Sequence, residues 1–263
     1  MNPLFDYSVF TLGHPGFDIL YEDGPVFVVN KPSGVLIQAP IGIDNLVSRV
    51  KHFFQLRDGK TENQYLGVPH RLDRPASGAV VFARHVRAAK RLSQQFEGRL
   101  IGKKYWSIVQ NSENGDGVIS PSSGEWEDFI RKIPDEPVGE VCSAQKSDAR
   151  WALLHYEVKA SIEIPVQIDQ KECIQRGTLL EIELETGRFH QIRIQASSRG
   201  NAIWGDSLYK AATQFGPQTE DPRGRAIALH SRYLQFKHPM REETVEVYAP
   251  LPEYWPESVR QLE

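Results

Sequence analysis

Apolar positions along the chain recur in short runs that alternate with polar ones more often than they follow a helical stripe. Residues 26–30 read as a buried strand, stopped by Lys31-Pro32-Ser33-Gly34. In that turn proline fixes one φ and glycine permits an unusual one. Extended structure resumes over residues 35–38, and residues 77–84 are β-branched and aromatic enough for another strand. Residues 85–100 then switch to helical spacing, with Ala89, Leu92, Phe96 and Leu100 on one face and Arg87, Lys90, Arg91 and Gln94 opposite. Residues 104–110 return to strand alternation.

The second half repeats the β flavour, with strands expected over residues 151–158, 178–185, 226–236 and 244–248. Residues 187–198 fit a strand or a short helix equally well. Residues 112–150 hold nine acids against four bases and are rich in turn formers, which reads as exposed loops and edge strands, or as a solvated linker. Residues 211–225 read as a surface loop. Many strands with few crossover helices predict an α+β fold, a mixed, mainly antiparallel sheet with flanking helices and loops.

Length allows one large domain or two modest ones in 263 residues. The longest apolar runs, residues 26–29 and 79–83, fall far short of the ~20 residues of a membrane helix. The N-terminus carries no basic segment followed by an apolar stretch, so no secretory signal is expected. Cys142 and Cys173 stand singly and far apart, fitting neither a disulfide scaffold nor a metal knuckle. They read as small core residues in a reducing, cytoplasmic compartment. No glycine-rich phosphate loop is present, which argues against nucleoside triphosphates and nicotinamide. His70, His190, His230 and His238 form no metal-ligand spacing, so no metal is expected.

A net charge of −3 argues at first against a nucleic-acid partner. Its distribution reverses the argument. Residues 70–104 carry nine basic side chains and two acids, a net of +7 that leaves −10 for the remainder. Screening confines each field to ~8–10 Å, so the acidic remainder does not cancel the basic segment there. Arg87, Lys90 and Arg91 either meet phosphates or simply solvate their helix. Inside this segment Asp73 stands between Arg71 and Arg74, surroundings that favour its anionic form. Such a carboxylate suits a nucleophile or an electrostatic stabiliser, or it only pairs with an arginine to fix its loop.

His70-Arg71-Leu72-Asp73 followed by Ser77-Gly78 and an apolar strand resembles the catalytic signature of the RluA-type pseudouridine synthases. Val28-Val29-Asn30-Lys31-Pro32-Ser33-Gly34, Lys103-Lys104-Tyr105, residues 186–193 (TGRFHQIR), residues 205–209 (GDSLY), Leu229-His230 and His238-Pro239 follow in the family's order, across about residues 22–252. The resemblance implies one catalytic domain over residues 1–263, with 1–20 as an N-terminal extension and no additional RNA-binding domain. It implies a cofactor-free isomerisation of specific uridines in ribosomal or transfer RNA, by a cytoplasmic enzyme that needs no membrane and is by default a monomer.

By the same resemblance Asp73, Tyr105 and Arg193 are the catalytic set. Asp73 acts on the sugar or base, Arg193 pairs with it, Tyr105 stacks on the uracil, and Arg71 fills the gap left by the flipped base. His70, Arg71, Arg74, Lys90, Arg91, Lys104, Arg188 and His190 are the expected RNA contacts. The chain departs from the family at Ala76, Ser107, Phe189, Asn201-Ala202 and Lys210. Where the family usually has Thr, Phe189 offers no hydroxyl. A catalytically silent RNA-binding relative would lack Asp73, Tyr105 or Arg193, all of which are present. A carboxylate-dependent glycosidase would need a second carboxylate, and Asp206 reads as a turn residue instead.

Overall fold

In a computed structural model of the chain, the structure describes residues 5–59, 64–111, 119, 121–168 and 171–263. They divide into two compact units. The first holds the chain up to Gly102 with Glu220–Gly224 and Ser231–Pro250; the second holds Lys103–Thr219, Arg225–His230 and Leu251–Glu263.

In the first unit, β1 (Asp18–Asp23) pairs antiparallel with β2 (Val26–Lys31), and β2 with β3 (Ser77–Ala83), Val28 facing Val81. β9 (Leu229–Lys237) follows β3 in the sheet and also pairs antiparallel with β10 (Thr244–Tyr248). All six residues of β2 and all seven of β3 are buried, because helices cover both faces. Val26, Val28, Ala79, Val81 and Ala83 pack with Ala88, Ala89 and Leu92 of α2 (Val86–Glu97). The alternate positions Phe27, Val29, Val80 and Phe82 pack with Leu46, Val50, Phe53 and Phe54 of α1 (Leu46–Asp58).

The expected α2 is present, with Arg87, Lys90, Arg91 and Gln94 on its exposed face. It stops at Glu97, and Leu100 lies outside it and exposed. β1 and α1 were not among the expected elements. The ends of α1 are nevertheless written in the chain: the Asn45 side chain accepts from the Ser48 N–H at 3.0 Å, and Gly59 closes the helix at φ 62°. Residues 35–38 form no strand, only a bridge from Leu36 to Asn45.

The second unit is built on the order β4-β8-β7-β5-β6: β4 (Gly102–Gln110), β8 (Lys171–Leu184), β7 (Arg150–Ile168), β5 (Ser123–Lys132) and β6 (Gly139–Cys142). Each of these pairings is antiparallel. Residues 187–198, ambiguous in the sequence, resolve as α3 (Gln191–Ser198), whose Ile194 packs with Ile130 and Ala152 of the sheet. The acidic stretch 112–150 supplies β5 and β6, while its residues 112–118 and 120 lie outside the described residues. Residues 211–225 are not all surface: Phe215 is buried edge-on against Tyr254 and Trp255. Neither cysteine is a core residue, since Cys142 is half-buried and Cys173 exposed, both as free thiols. Among the described residues no helix is long and apolar enough to cross a membrane.

Candidate active site

Asp73 is half-buried in the loop that leads into β3, where its carbonyl accepts the Ala76 N–H at 3.2 Å. This loop is clamped to the Lys31–Gly34 turn by the chain itself. The Gly34 N–H donates to the Arg74 carbonyl at 2.8 Å, and Arg74 Nε donates back to the Gly34 carbonyl at 2.9 Å. Gly34 sits at φ 80°, and a Cβ there would lie 2.4 Å from the Gly224 carbonyl oxygen, so only glycine fits so close an approach.

Lys31 lies beneath the clamp, fully buried. Its ammonium donates to the carbonyls of Pro32 and Val35, each at 2.9 Å, and to that of Arg74 at 3.1 Å. Desolvation pushes its pKa down to about 7, while the neighbouring Asp73 carboxylate pulls it up. Lys31 therefore ties the Asp73 loop to the turn before Val35, and the Asp73 carboxylate favours its protonated form. In the sequence Lys31 stands in a turn, with nothing beside it that marks this role.

The other residues expected in this unit fall into two groups. His70 is committed to the fold: its Nε2 accepts the Val81 N–H at 3.0 Å, and its ring stacks on Phe96 at 4.5 Å. Arg74 reaches Asp221 at 3.7 Å besides Gly34, and Arg91 donates to the Pro239 carbonyl at 2.6 Å. Arg71 and Lys90 are exposed. Asp23, His238 and Glu243 come close enough to hold a cation, but Asp23 is already ion-paired with Arg241, so an internal guanidinium takes that place.

In the second unit, Tyr105 is buried on β4 opposite Ile182 of β8. Lys104 is ion-paired with Glu181 at 3.0 Å and Glu183 at 3.1 Å, and hydrogen bonds to these carboxylates raise its pKa further above the ordinary lysine range. The +7 of residues 70–104 is thus partly neutralised by acids outside that segment. Arg84 adds to this through Glu22 and Asp58 in the first unit.

The loop before α3 is knit by its own side chains. Gln191 Oε1 accepts from the Thr186 hydroxyl at 2.7 Å and from the Arg188 N–H at 3.1 Å, and Arg188 Nε donates to the Trp151 carbonyl at 2.9 Å. His190 takes the left-handed conformation, φ 48°, and shares a hydrogen bond with the Tyr209 hydroxyl at 2.9 Å.

Arg193, one turn further on, is buried and forms a two-pronged ion pair with Asp206: Nε to Oδ2 at 2.7 Å and Nη2 to Oδ1 at 2.8 Å. Its guanidinium also lies 4.9 Å from the Tyr209 ring centroid. Asp206 does sit in a turn, its carbonyl accepting the Tyr209 N–H at 3.0 Å, but its carboxylate is the buried partner of Arg193. The reading of Asp206 as a turn residue alone is corrected on that point. Composition and spacing carry no signal for the pair, since the two residues are thirteen apart and share no helix face.

The comparisons agree with this architecture. The sequence profile described as RNA pseudouridylate synthase matches residues 25–198. Tyr105, Arg193 and the Asp73 loop all lie within that match. The chain is 29% identical to the tRNA pseudouridine synthase C of Haemophilus ducreyi over 239 residues, 90% of this chain and 92% of the relative. It is 31% identical to the ribosomal large subunit pseudouridine synthase D of Xylella fastidiosa, over 90% of this chain and 66% of that one. Identity to the uncharacterized RNA pseudouridine synthase YlyB of Bacillus subtilis is 32%, over 93% of this chain and 72% of the relative. Among solved structures, human RNA pseudouridylate synthase domain containing 4 shares the fold, with a TM-score of 0.66 over 93% of this chain and 91% of that one at 22% identity. By profile, relatives and mainly antiparallel α+β fold, the chain belongs to the RluA-type RNA pseudouridylate synthases, isomerases that make pseudouridine in RNA.

Proposed function

We propose that the chain isomerises specific uridines of a transfer or ribosomal RNA without a cofactor, with Asp73 as the essential carboxylate. The reaction breaks the N1–C1′ bond, turns the uracil and joins C5 to C1′; the C5 proton is lost and N1 gains one, so there is no net redox change. The RNA class follows the relatives, one named for tRNA and one for the large ribosomal subunit. The observation that supports Asp73 most directly is its mounting. A loop clamped through Gly34 and Arg74, over a fully buried ammonium, holds one carboxylate in a fixed place. Such pre-organisation of a reacting group is what catalysis by positioning requires.

In this reading the uridine leaves its stack, at a cost of about a few kcal/mol. Tyr105 stacks on the uracil, Arg193 pairs with Asp73, and Arg71 fills the gap left in the RNA. Exposed Lys90 and Arg71 are the cations best disposed for phosphate. Arg74, Arg91, Lys104 and Arg188 serve RNA while already holding protein acceptors, and His70 and His190 shape the loops that carry Arg71 and Arg193. The enzyme works as one catalytic domain, as a cytoplasmic monomer.

The test is incubation of wild type and Asp73→Asn with total cellular RNA, followed by quantification of pseudouridine. Wild type gives product, and the Asn variant gives none while its RNA affinity stays within a few-fold. An equally active Asn variant removes Asp73 from the chemistry, and an inactive wild type that still binds RNA favours a silent relative.

A further inference from the structure

Phe189 is exposed on one side and rigidly backed on the other. The residue is 43% accessible, and its ring lies almost parallel to the His190 imidazole, with centroids 3.8 Å apart and planes 21° apart. The support is itself fixed from below. His190 is held by the Tyr209 hydroxyl at 2.9 Å, its ring stands edge-on to Tyr209, and that hydroxyl accepts the Gly139 N–H at 2.9 Å. The exposed Lys132 ammonium stands 5.8 Å from the Phe189 centroid, near the ~6 Å limit for a useful cation–π contact. Scattered exposed apolar side chains are ordinary, but an aromatic ring mounted flat on a second ring beside a solvated cation has more structure than that.

We infer that Phe189 is a stacking platform for an unpaired base of the substrate RNA, a base other than the target uridine, with Lys132 meeting the adjoining phosphate. Every nucleobase has a π face, and stacking on an exposed aromatic ring is the common way proteins hold single-stranded RNA. The platform costs little to order on binding, because the His190–Tyr209–Gly139 chain has already fixed it. A mobile ring would forfeit part of the stacking energy in lost side-chain freedom. The site selects single-stranded over paired RNA, since a base inside a duplex has no free face. This inference rests on the RNA-modifying reading above and adds a substrate contact to it.

The experiment uses the full chain and 5′-fluorescein decauridylate as the probe, with affinity read by anisotropy across a salt series. Phe189→Ala should weaken binding roughly 5- to 100-fold, the range for loss of one base stack, and leave the salt slope unchanged. Phe189→Trp should bind as tightly as wild type or more so. Lys132→Ala should instead lower the slope of log K against log salt by about 0.7, one phosphate contact on a single strand. A Phe189→Ala affinity within twofold of wild type, or a Phe189→Trp affinity as weak as the alanine variant, overturns the inference. Melting temperatures of both variants, expected within about 1 °C of wild type, separate lost contact from lost fold. Pseudouridine assays on total RNA keep the two readings apart: an inactive wild type counts against the enzymatic reading, whereas an active wild type with an unmoved Phe189→Ala KM counts against the platform alone.

Discussion

Replacing Asp206 by alanine leaves the Arg193 guanidinium buried without the carboxylate that now takes two of its N–H donors. The side chains of the pair are 4% and 1% exposed, so water cannot substitute for the lost acceptor. Removing one partner of such a buried pair costs about 3–5 kcal/mol. For a chain of this size that is a fall in melting temperature of about 10 °C. Asp206→Asn keeps one carbonyl acceptor but loses the charge and the second prong, and should fall between alanine and wild type.

The informative control is the double variant Arg193→Met, Asp206→Leu, which removes both charges and refills the volume with apolar atoms. It should recover to within about 1–2 kcal/mol of wild type, since apolar replacement of a whole buried pair is often close to neutral. The measurement is a double-mutant cycle by chemical denaturation, with a coupling energy of at least about 2 kcal/mol expected. If Arg193 has its proposed catalytic role, the double variant is stable and inactive, which separates stability from chemistry. A loss below about 1 kcal/mol in Asp206→Ala would refute Asp206 as the main partner of the buried Arg193 guanidinium.

Two further perturbations test the first unit. The folded pKa of Lys31, about 7, lies below its ordinary 10.5, so between those values the unfolded chain holds a proton that the folded chain has released. Wild type should therefore gain stability as pH rises through this window, at up to about 1.4 kcal/mol per pH unit, with the full penalty of the buried ammonium present below pH 7. Lys31→Met should lose that slope, and denaturation at pH 7.5 and 9.5 checks it; equal slopes in the two proteins would show that burial does not govern this lysine. Gly78 sits at φ 117°, where a Cβ would lie 2.4 Å from the Ser231 carbonyl oxygen. Gly78→Ala should cost roughly 2–5 kcal/mol from backbone strain and overpacking together. Gly187→Ala, whose Cβ meets nothing within 4 Å, should stay within about 0.5 kcal/mol and serves as the denaturation control.

Much of this molecule was legible from residues 26–30 and 77–84, whose unbroken apolar runs carry their own explanation. A strand covered on both faces has no polar side to show, and β2 and β3 are covered by α2 and α1. The amphipathic stripe of α2 was equally readable, because one of its faces meets water. α1 was overlooked although Leu46, Val50, Phe53 and Phe54 recur at helical spacing and its Asn45 and Gly59 caps were visible. The extra length of β7 and β8 escaped too, as pairing across a hairpin, rather than alternation, extends them to Ile168 and from Lys171.

The site divides in the same way. The resemblance to the family marked Asp73, Tyr105 and Arg193 as the expected catalytic set; of the three, only Asp73 stands in a loop with its own proline and glycine signature, Tyr105 lying on β4 and Arg193 on α3. Which charges remain available was decided only by the folded structure. Lys31 lies beneath the Asp73 loop, Asp206 neutralises Arg193, Glu181 and Glu183 take Lys104, and Glu22 with Asp58 takes Arg84. Each of those partners is brought near by tertiary packing across as many as seventy-nine residues of chain, from Lys104 to Glu183. A count of charges along the sequence cannot see this, because Coulomb energy depends on separation and burial in space rather than on separation along the chain.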